Sequence, residues 1–330
     1  MRTFFVIVLL LVLVVAGWFT WAALLPVSPS QATFVLLRPG WTTRHIAREL
    51  QHDGIIRNAD AFLILHYVHG LGSLKAGEYK FEAPANAIEV RRRLLRGDVY
   101  VRTVQVPEGY NIYDIAAVVE QAGLGSAADF ITAAKGDLLL IKDLDPNAQS
   151  LEGYLFPDTY HFTRIDSAHE IVAGMVHRFR QEAQKIGLLR QGDIHRIVTI
   201  ASIVEKETAV PEERPLVASV YYNRLARNMM LGADPSVVYA ALVAGRYRGT
   251  IYQSDLQFDS AYNTYKYAGL PPGPISNPGA ASLEAAMNPA HTDYLYFVSD
   301  NNGHHRFSRT AEEHERNVAA YRRAVAQQAH

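Results

Sequence analysis

The chain has 330 residues, 49% of them hydrophobic, enough for about two domains with real cores and too apolar to be disordered. Lys and Arg total 32 against 33 Asp and Glu, a formal net charge of −1, so no general attraction to nucleic acid is built in. There is no cysteine, which excludes disulfides, thiolate metal sites and a cysteine nucleophile.

Phe4 to Leu25 carries no charge and matches the roughly 20 residues that cross about 30 Å of hydrocarbon as a helix. Trp18 and Trp21 suit its outer interface. The run is longer than a signal-peptide core, and Ser28-Pro29-Ser30 is a poor cleavage site, so residues 1–25 are expected to stay as a transmembrane anchor. Arg2 and the amino terminus are the only positive charges before Arg38, which points the N-terminus into the cytoplasm and the rest of the chain outward. Residues 26–31 read as a short tether.

A similarity spaced by 69 residues follows. Val35-Leu36-Leu37-Arg38-Pro39-Gly40, then Ile46, Ala47, Leu50 and Gly54, returns as Val104-Gln105-Val106-Pro107-Glu108-Gly109, then Ile115, Ala116, Val119 and Gly123. Each copy reads as strand, glycine turn and amphipathic helix closed by glycine. Between them, Lys75 to Phe81 alternates like a strand, and a helix is predicted over about Ala87 to Arg96.

The texture changes near Asp143. Residues 32–142 are read as small α/β modules and 143–330 as a second, helix-rich domain, giving an α+β chain overall. Its helices are predicted at about His169–Lys185 and Asp193–Glu207, a third opens at Pro211, and a last one starts at the Thr310/Glu313 capping box and reaches about Val325. Tyr294 to Val298 reads as a buried strand.

The sharpest chemical feature is Ile197 to Thr208, apolar for two turns and then Glu205-Lys206-Glu207. A carboxyl closing an apolar helix is partly desolvated, which raises its pKa toward the range useful for proton donation. Two carboxylates at i and i+2 point about 200° apart and cannot face each other across one bond, and the wheel alone leaves open which one works. Downstream, Tyr222-Asn223-Arg224, Asp234-Pro235-Ser236 with Tyr239, and Tyr262-Asn263-Thr264-Tyr265 set hydrogen-bonding groups beside aromatic faces, as sugar rings require. The 13 histidines include no H-E-x-x-H, and there is no G-x-S-x-G elbow, phosphate loop or dinucleotide fingerprint. No metal or cofactor is expected.

Taken in order, Glu152 to Tyr160 (EGYLFPDTY), Ala201 to Thr208 (ASIVEKET), Asn223-Arg224-Leu225, Asp234 to Tyr239, Tyr262 to Tyr265, Gly269 to Pro272, Ile275 with Asn277-Pro278-Gly279, and Tyr294 to Val298 resemble the YceG-like endolytic murein transglycosylases. With the anchor, the resemblance covers nearly the whole chain. It implies a LysM-like N-terminal module, a catalytic domain outside the cytoplasmic (inner) membrane, and peptidoglycan glycan strands as substrate, with peptidoglycan synthases as further partners. It also implies cleavage of the MurNAc–GlcNAc bond within strands, without water, leaving 1,6-anhydro-MurNAc ends. The family's essential carboxyl falls on Glu207, and substrate contacts are expected from Glu152, Tyr154, Asp158, Glu205, Asn223, Asp234, Tyr239, Tyr262, Asn263 and Tyr265. Small departures, Gly232 where Gln is common and Ser236 where Thr is common, touch fine substrate contacts. The competing reading is a non-catalytic, membrane-anchored peptidoglycan-binding protein.

Overall fold

In the computed structural model, which describes residues 1–70 and 72–328, the protein is α+β, with thirteen α-helices and small sheets among the described residues. It divides into two compact units, residues 1–103 with 161–166, and residues 104–160 with 167–330.

The first unit opens with α1 (Arg2–Phe19), which one π-type turn, Thr20–Leu24, extends to a 23-residue run, Arg2–Leu24, long and apolar enough to cross a membrane. Residues 2–18 of α1 are exposed, whereas Phe19 packs against the core of this unit and Ala22 and Ala23 are buried in it. The predicted tether is not loose. Arg57 donates to the carbonyls of Leu25 and Pro26 and lies 5.8 Å from the Trp21 ring, while Val27 and Ala85 bridge through both backbone bonds.

β1 (Thr33–Leu37) is followed by α2 (Thr43–His52) and α3 (Ala59–Val68), and then β2 (Gly77–Phe81) returns antiparallel to β1, pairing Thr33 with Phe81 and Leu37 with Gly77. Alternation buries Val35 and Leu37 from one strand against Tyr79 and Phe81 from the other. α4 (Ala87–Arg96) begins at an Asn86/Glu89 capping box and stops at Gly97, which takes the left-handed conformation. Glu78, 1% exposed, is held by Arg102 and Arg164. The chain passes between the units within β3 (Arg102–Gln105) and again within β4 (Thr159–Phe162).

The second unit begins with the second copy of the repeat. α5 (Ile112–Gln121) and α6 (Ala127–Gly136) pack together, and α6 packs on α7 (Ala168–Lys185). The copies match in backbone detail, since Gly40 and Gly109 have φ of 82° and 77°, and Gly54 and Gly123 both have φ of 70°. Those angles suit glycine, which explains why it recurs at both places. The boundary expected after residue 142 falls inside this unit, because α5 and α6 share its core through Phe130, Ile115 and Val119.

α8 (Ile194–Glu207) is buried along Ile197 to Val204, and α9 (Arg214–Ala226) and α12 (Ala280–Met287) pack against it. A 3₁₀ turn, Pro211–Glu213, precedes α9. Between α9 and α12 lie α10 (Asp234–Val243) and the single turn α11 (Gln253–Leu256). The chain closes with the antiparallel pair β5 (Tyr296–Ser299) and β6 (His305–Ser308), followed by α13 (Ala311–Gln328).

Candidate functional site

The site forms where α8 ends. Burial on almost every side of Ile197–Val204 fixes α8, so its last residue has a defined position. Glu207 Oε1 accepts a 2.6 Å hydrogen bond from the Tyr221 hydroxyl, presented by α9. Burial pushes the Glu207 carboxyl up to about 7. The negative charge of Asp234 acts in the same direction, and the Tyr221 bond and the charges of His305 and Arg224 act against it. A carboxyl near 7 both gives and takes a proton at neutral pH.

Glu207 and Asp234 both border two cavities. The larger, about 500 Å³, is lined along α10 by Pro235, Val238, Tyr239 and Leu242, and closed by Asn111, Asp114, Lys206, Tyr247 and Ile275. The smaller, about 370 Å³, is bounded by Tyr221, Arg224, Leu231, Gly232, Tyr265, Tyr296, Phe297 and His314. Aromatic faces beside a few polar groups on both sides of one carboxyl make a cleft suited to a chain of sugars threaded past Glu207.

Of the ten residues expected to touch substrate, three line this cleft. Asp234 opens α10 beside Glu207 and accepts a 2.6 Å bond from the Tyr265 hydroxyl, so each orients the other. Tyr239 shows its ring to the larger cavity while its hydroxyl turns inward to Glu152 at 3.0 Å.

The other seven bond to groups outside the cleft. Glu152 is 1% exposed; its carboxyl accepts from the Ile112 N–H, the Tyr239 hydroxyl and Asn277 Nδ2, and burial pushes it up to about 8. Tyr154 is fully buried, edge-on to Phe179, with its hydroxyl 2.8 Å from Asp145, which also binds His195. Asp158 pairs with Arg178 at 2.6 Å. Glu205 accepts the Gly279 N–H at 2.9 Å and faces the Arg214 guanidinium at 3.5 Å, so its charge is used in holding α8 to the start of α12. Asn223 donates to the carbonyls of Thr292 and Tyr294, and Asn263 to those of Leu256 and Phe258. Tyr262 sits edge-on to Tyr239 at 4.9 Å, behind the cavity wall.

Sequence reasoning singled out Arg224 but not Tyr221, Asn111, Asp114, Tyr247, Tyr296, Phe297 or His314 as lining residues. For Asn111 and Asp114 a signal existed, the Asn-x-x-Asp spacing of a capping box, but that spacing reports a helix start and not a cavity. Among the described residues no cluster of three or more His, Asp or Glu is arranged to hold a metal.

Comparison with known proteins identifies the family. A model of the YceG-like family matches residues 35–320. The endolytic murein transglycosylase of Bacillus subtilis is 32% identical over 94% of this chain and 91% of its own length. That of Streptococcus pneumoniae D39 is 30% identical over 91% of this chain but 60% of its own, longer, chain. In structure, a YceG-like protein of Listeria monocytogenes superposes with a TM-score of 0.58 at 32% identity, covering 87% of this chain and 99% of that one. With the family model spanning most of the sequence and relatives at this identity along nearly all of it, the chain belongs to the YceG-like family.

Proposed function

We propose that this protein is an endolytic murein transglycosylase that cuts the MurNAc–GlcNAc bond inside peptidoglycan strands, with Glu207 as its acid and base. The observation that carries the reading is a single carboxyl, raised to about 7 by burial, standing where two cavities meet. An open cavity on each side suits a bond within a strand better than one at its end. The relatives named as endolytic murein transglycosylases support the same reaction class.

In this mechanism the protonated Glu207 donates its proton to the glycosidic oxygen as the bond from MurNAc C1 to that oxygen breaks. The MurNAc O6 hydroxyl closes on C1 and its proton passes to the Glu207 carboxylate, restoring the acid. One product ends in 1,6-anhydro-MurNAc and the other gains a free GlcNAc 4-hydroxyl, with no water consumed. Because O6 supplies the nucleophile, a second catalytic carboxylate is not needed, unlike in ordinary glycosidases. Tyr221 orients the Glu207 carboxyl, and Asp234, close enough to raise its pKa, favours the protonated form.

The N-terminal helix serves as a single-pass anchor in the cytoplasmic membrane, with both units outside; its 23-residue apolar length supports this. The β1–α2–α3–β2 arrangement, two helices between antiparallel strands, supports a LysM-like module that holds glycan. Synthases that build the strands beside the membrane are the proposed protein partners. The deciding experiment is mass spectrometry of products from the purified protein and isolated sacculi. Anhydro-ended muropeptides from internal cuts are expected; intact sacculi or reducing ends would overturn the reading.

A further inference from the structure

The far end of the larger cavity leads to a feature the reaction scheme leaves unused. α10 runs along this cavity from Asp234 beside Glu207 to Leu242, a wall of about 12 Å at 1.5 Å per residue. Beyond its end lies the segment Gly245-Arg246-Tyr247-Arg248-Gly249. The helix stop there is rigid: Gly245 has φ of 65°, its N–H bonds the Leu242 carbonyl, and the Arg246 N–H bonds the Ala241 carbonyl. This double closure fixes where the following residues leave the helix.

Tyr247 lines the larger cavity and also, with Gly245, Arg246 and Arg248, a more open hollow of about 430 Å³. The two guanidinium groups flank it. Arg246 lies 4.3 Å from the Phe258 ring and Arg248 4.0 Å from the Tyr252 ring. Both reach Asp255, at 3.2 Å and 3.4 Å, and its carboxylate also accepts the Tyr252 N–H. Two cations sharing one anion leave one net positive charge, on partly exposed groups held in place by rings below them. Planar, pre-positioned guanidinium groups of this kind recognise carboxylates.

We propose that the hollow lined by Arg246, Tyr247 and Arg248 is a docking site for the carboxylate-bearing peptide stem of a MurNAc residue lying in the larger cavity. The proposal rests on the glycan-cutting reading above and adds what the enzyme selects. The sugar chain itself offers hydroxyls and acetamido groups, for which a fixed pair of guanidinium groups has no special use. The stem is the acidic part of the polymer, and it branches from the sugar ring, as Tyr247 branches from the cavity wall. Strands whose stems keep their free carboxylates are therefore preferred over strands whose stem carboxylates are neutralised.

The test uses two substrates of matched length, glycan strands bearing free-acid peptide stems and the same strands after the stem carboxylates have been converted to amides. The wild-type protein should cut the free-acid strands with a kcat/KM roughly tenfold higher. In the double variant Arg246→Gln/Arg248→Gln the ratio should fall toward one, mainly through KM. Arg246→Lys/Arg248→Lys keeps the charge and should retain part of the preference, which separates loss of charge from a disturbed loop. Raising salt from about 0.01 M to 0.15 M shortens screening from about 30 Å to 8 Å and should shrink the wild-type ratio. Equal cutting of both substrates by the wild type, or a preference that survives in the Gln variant, overturns the proposal while leaving the reaction intact. Failure to cut either substrate would count against the glycan-cutting reading instead.

Discussion

Glu205 and Glu207 stand two positions apart on α8 and end in opposite roles, Glu205 bound to Arg214 and the Gly279 N–H, Glu207 bound to Tyr221 at the junction of two cavities. The helix turns about 200° between them, so one carboxyl fastens the scaffold while the other meets the cleft.

This separation predicts different failures. Glu207→Gln keeps the shape and an acceptor for Tyr221 but cannot transfer a proton, so release of anhydro-ended product should drop about 10²–10⁴-fold with the melting temperature little changed. Glu205→Gln takes the anion from Arg214, whose side chain is 11% exposed, and should mainly lower stability. Product analysis and thermal melting of the two variants check the pair. An inactive but stable Glu205→Gln beside an active Glu207→Gln would reverse the assignment.

Activity should fall as pH rises through about 7, because the resting enzyme needs Glu207 protonated. The folded carboxyl sits above its ordinary value of 4.5, so the native state holds its proton more tightly than the unfolded chain does. Its contribution to stability is then complete below about 4.5 and is lost as pH climbs through about 7. Tyr221→Phe removes a hydrogen bond that favours the charged form, so the alkaline limb of the rate profile should move to higher pH. Rate profiles of wild type and Tyr221→Phe measure this, and a shift to lower pH would contradict it.

Glu152 is predicted to be structural. Glu152→Ala leaves the Ile112 N–H, the Tyr239 hydroxyl and Asn277 Nδ2 without their shared acceptor, at about 1–3 kcal/mol for each donor left unsatisfied in the core. Urea unfolding should show a loss of at least about 3 kcal/mol; a near-neutral change would show that water or a rearranged partner replaces the carboxyl.

The unit boundary makes a truncation prediction. Residues 143–330 lack α5 and α6, so Glu152 loses a donor and the faces covered by Phe130 and Ile115 open to water. That fragment should aggregate, whereas residues 104–330 should remain soluble and still cut sacculi. Gel filtration and product analysis of the two fragments decide it.

Much of the fold was legible because it repeats locally. The helix expected at 87–96 is α4, and those expected at about 169–185 and 193–207 are α7 and α8 to within a residue. Periodicity and caps are short-range signals, and these helices obey them. α10 escaped notice because Asp234-Pro235 looks like a turn and its apolar residues are spread around the helix. The division of polar residues between cleft and scaffold was not legible at all. Asn277 meets Glu152 across 125 positions and Asn223 meets Tyr294 across 71, and no local pattern announces such partners. Glu152, Tyr154 and Asn263, which lie in the segments that resemble the family, spend their polar groups on bonds within the protein.

The grip of Arg57 on Leu25 and Pro26, with the Val27–Ala85 bridge, has a mechanical consequence. The stalk has no slack, so the first unit starts where the apolar helix ends. Extra residues inserted between Val27 and Thr33 would only bulge a surface loop, because both flanks are already fastened to the unit. Extra residues inserted between Leu24 and Leu25 would leave the clamp in place but separate it from the apolar helix and let the unit swing. The end of the apolar helix is thus fixed to the first unit by Arg57 and the Val27–Ala85 bridge, and not by the length of a linker.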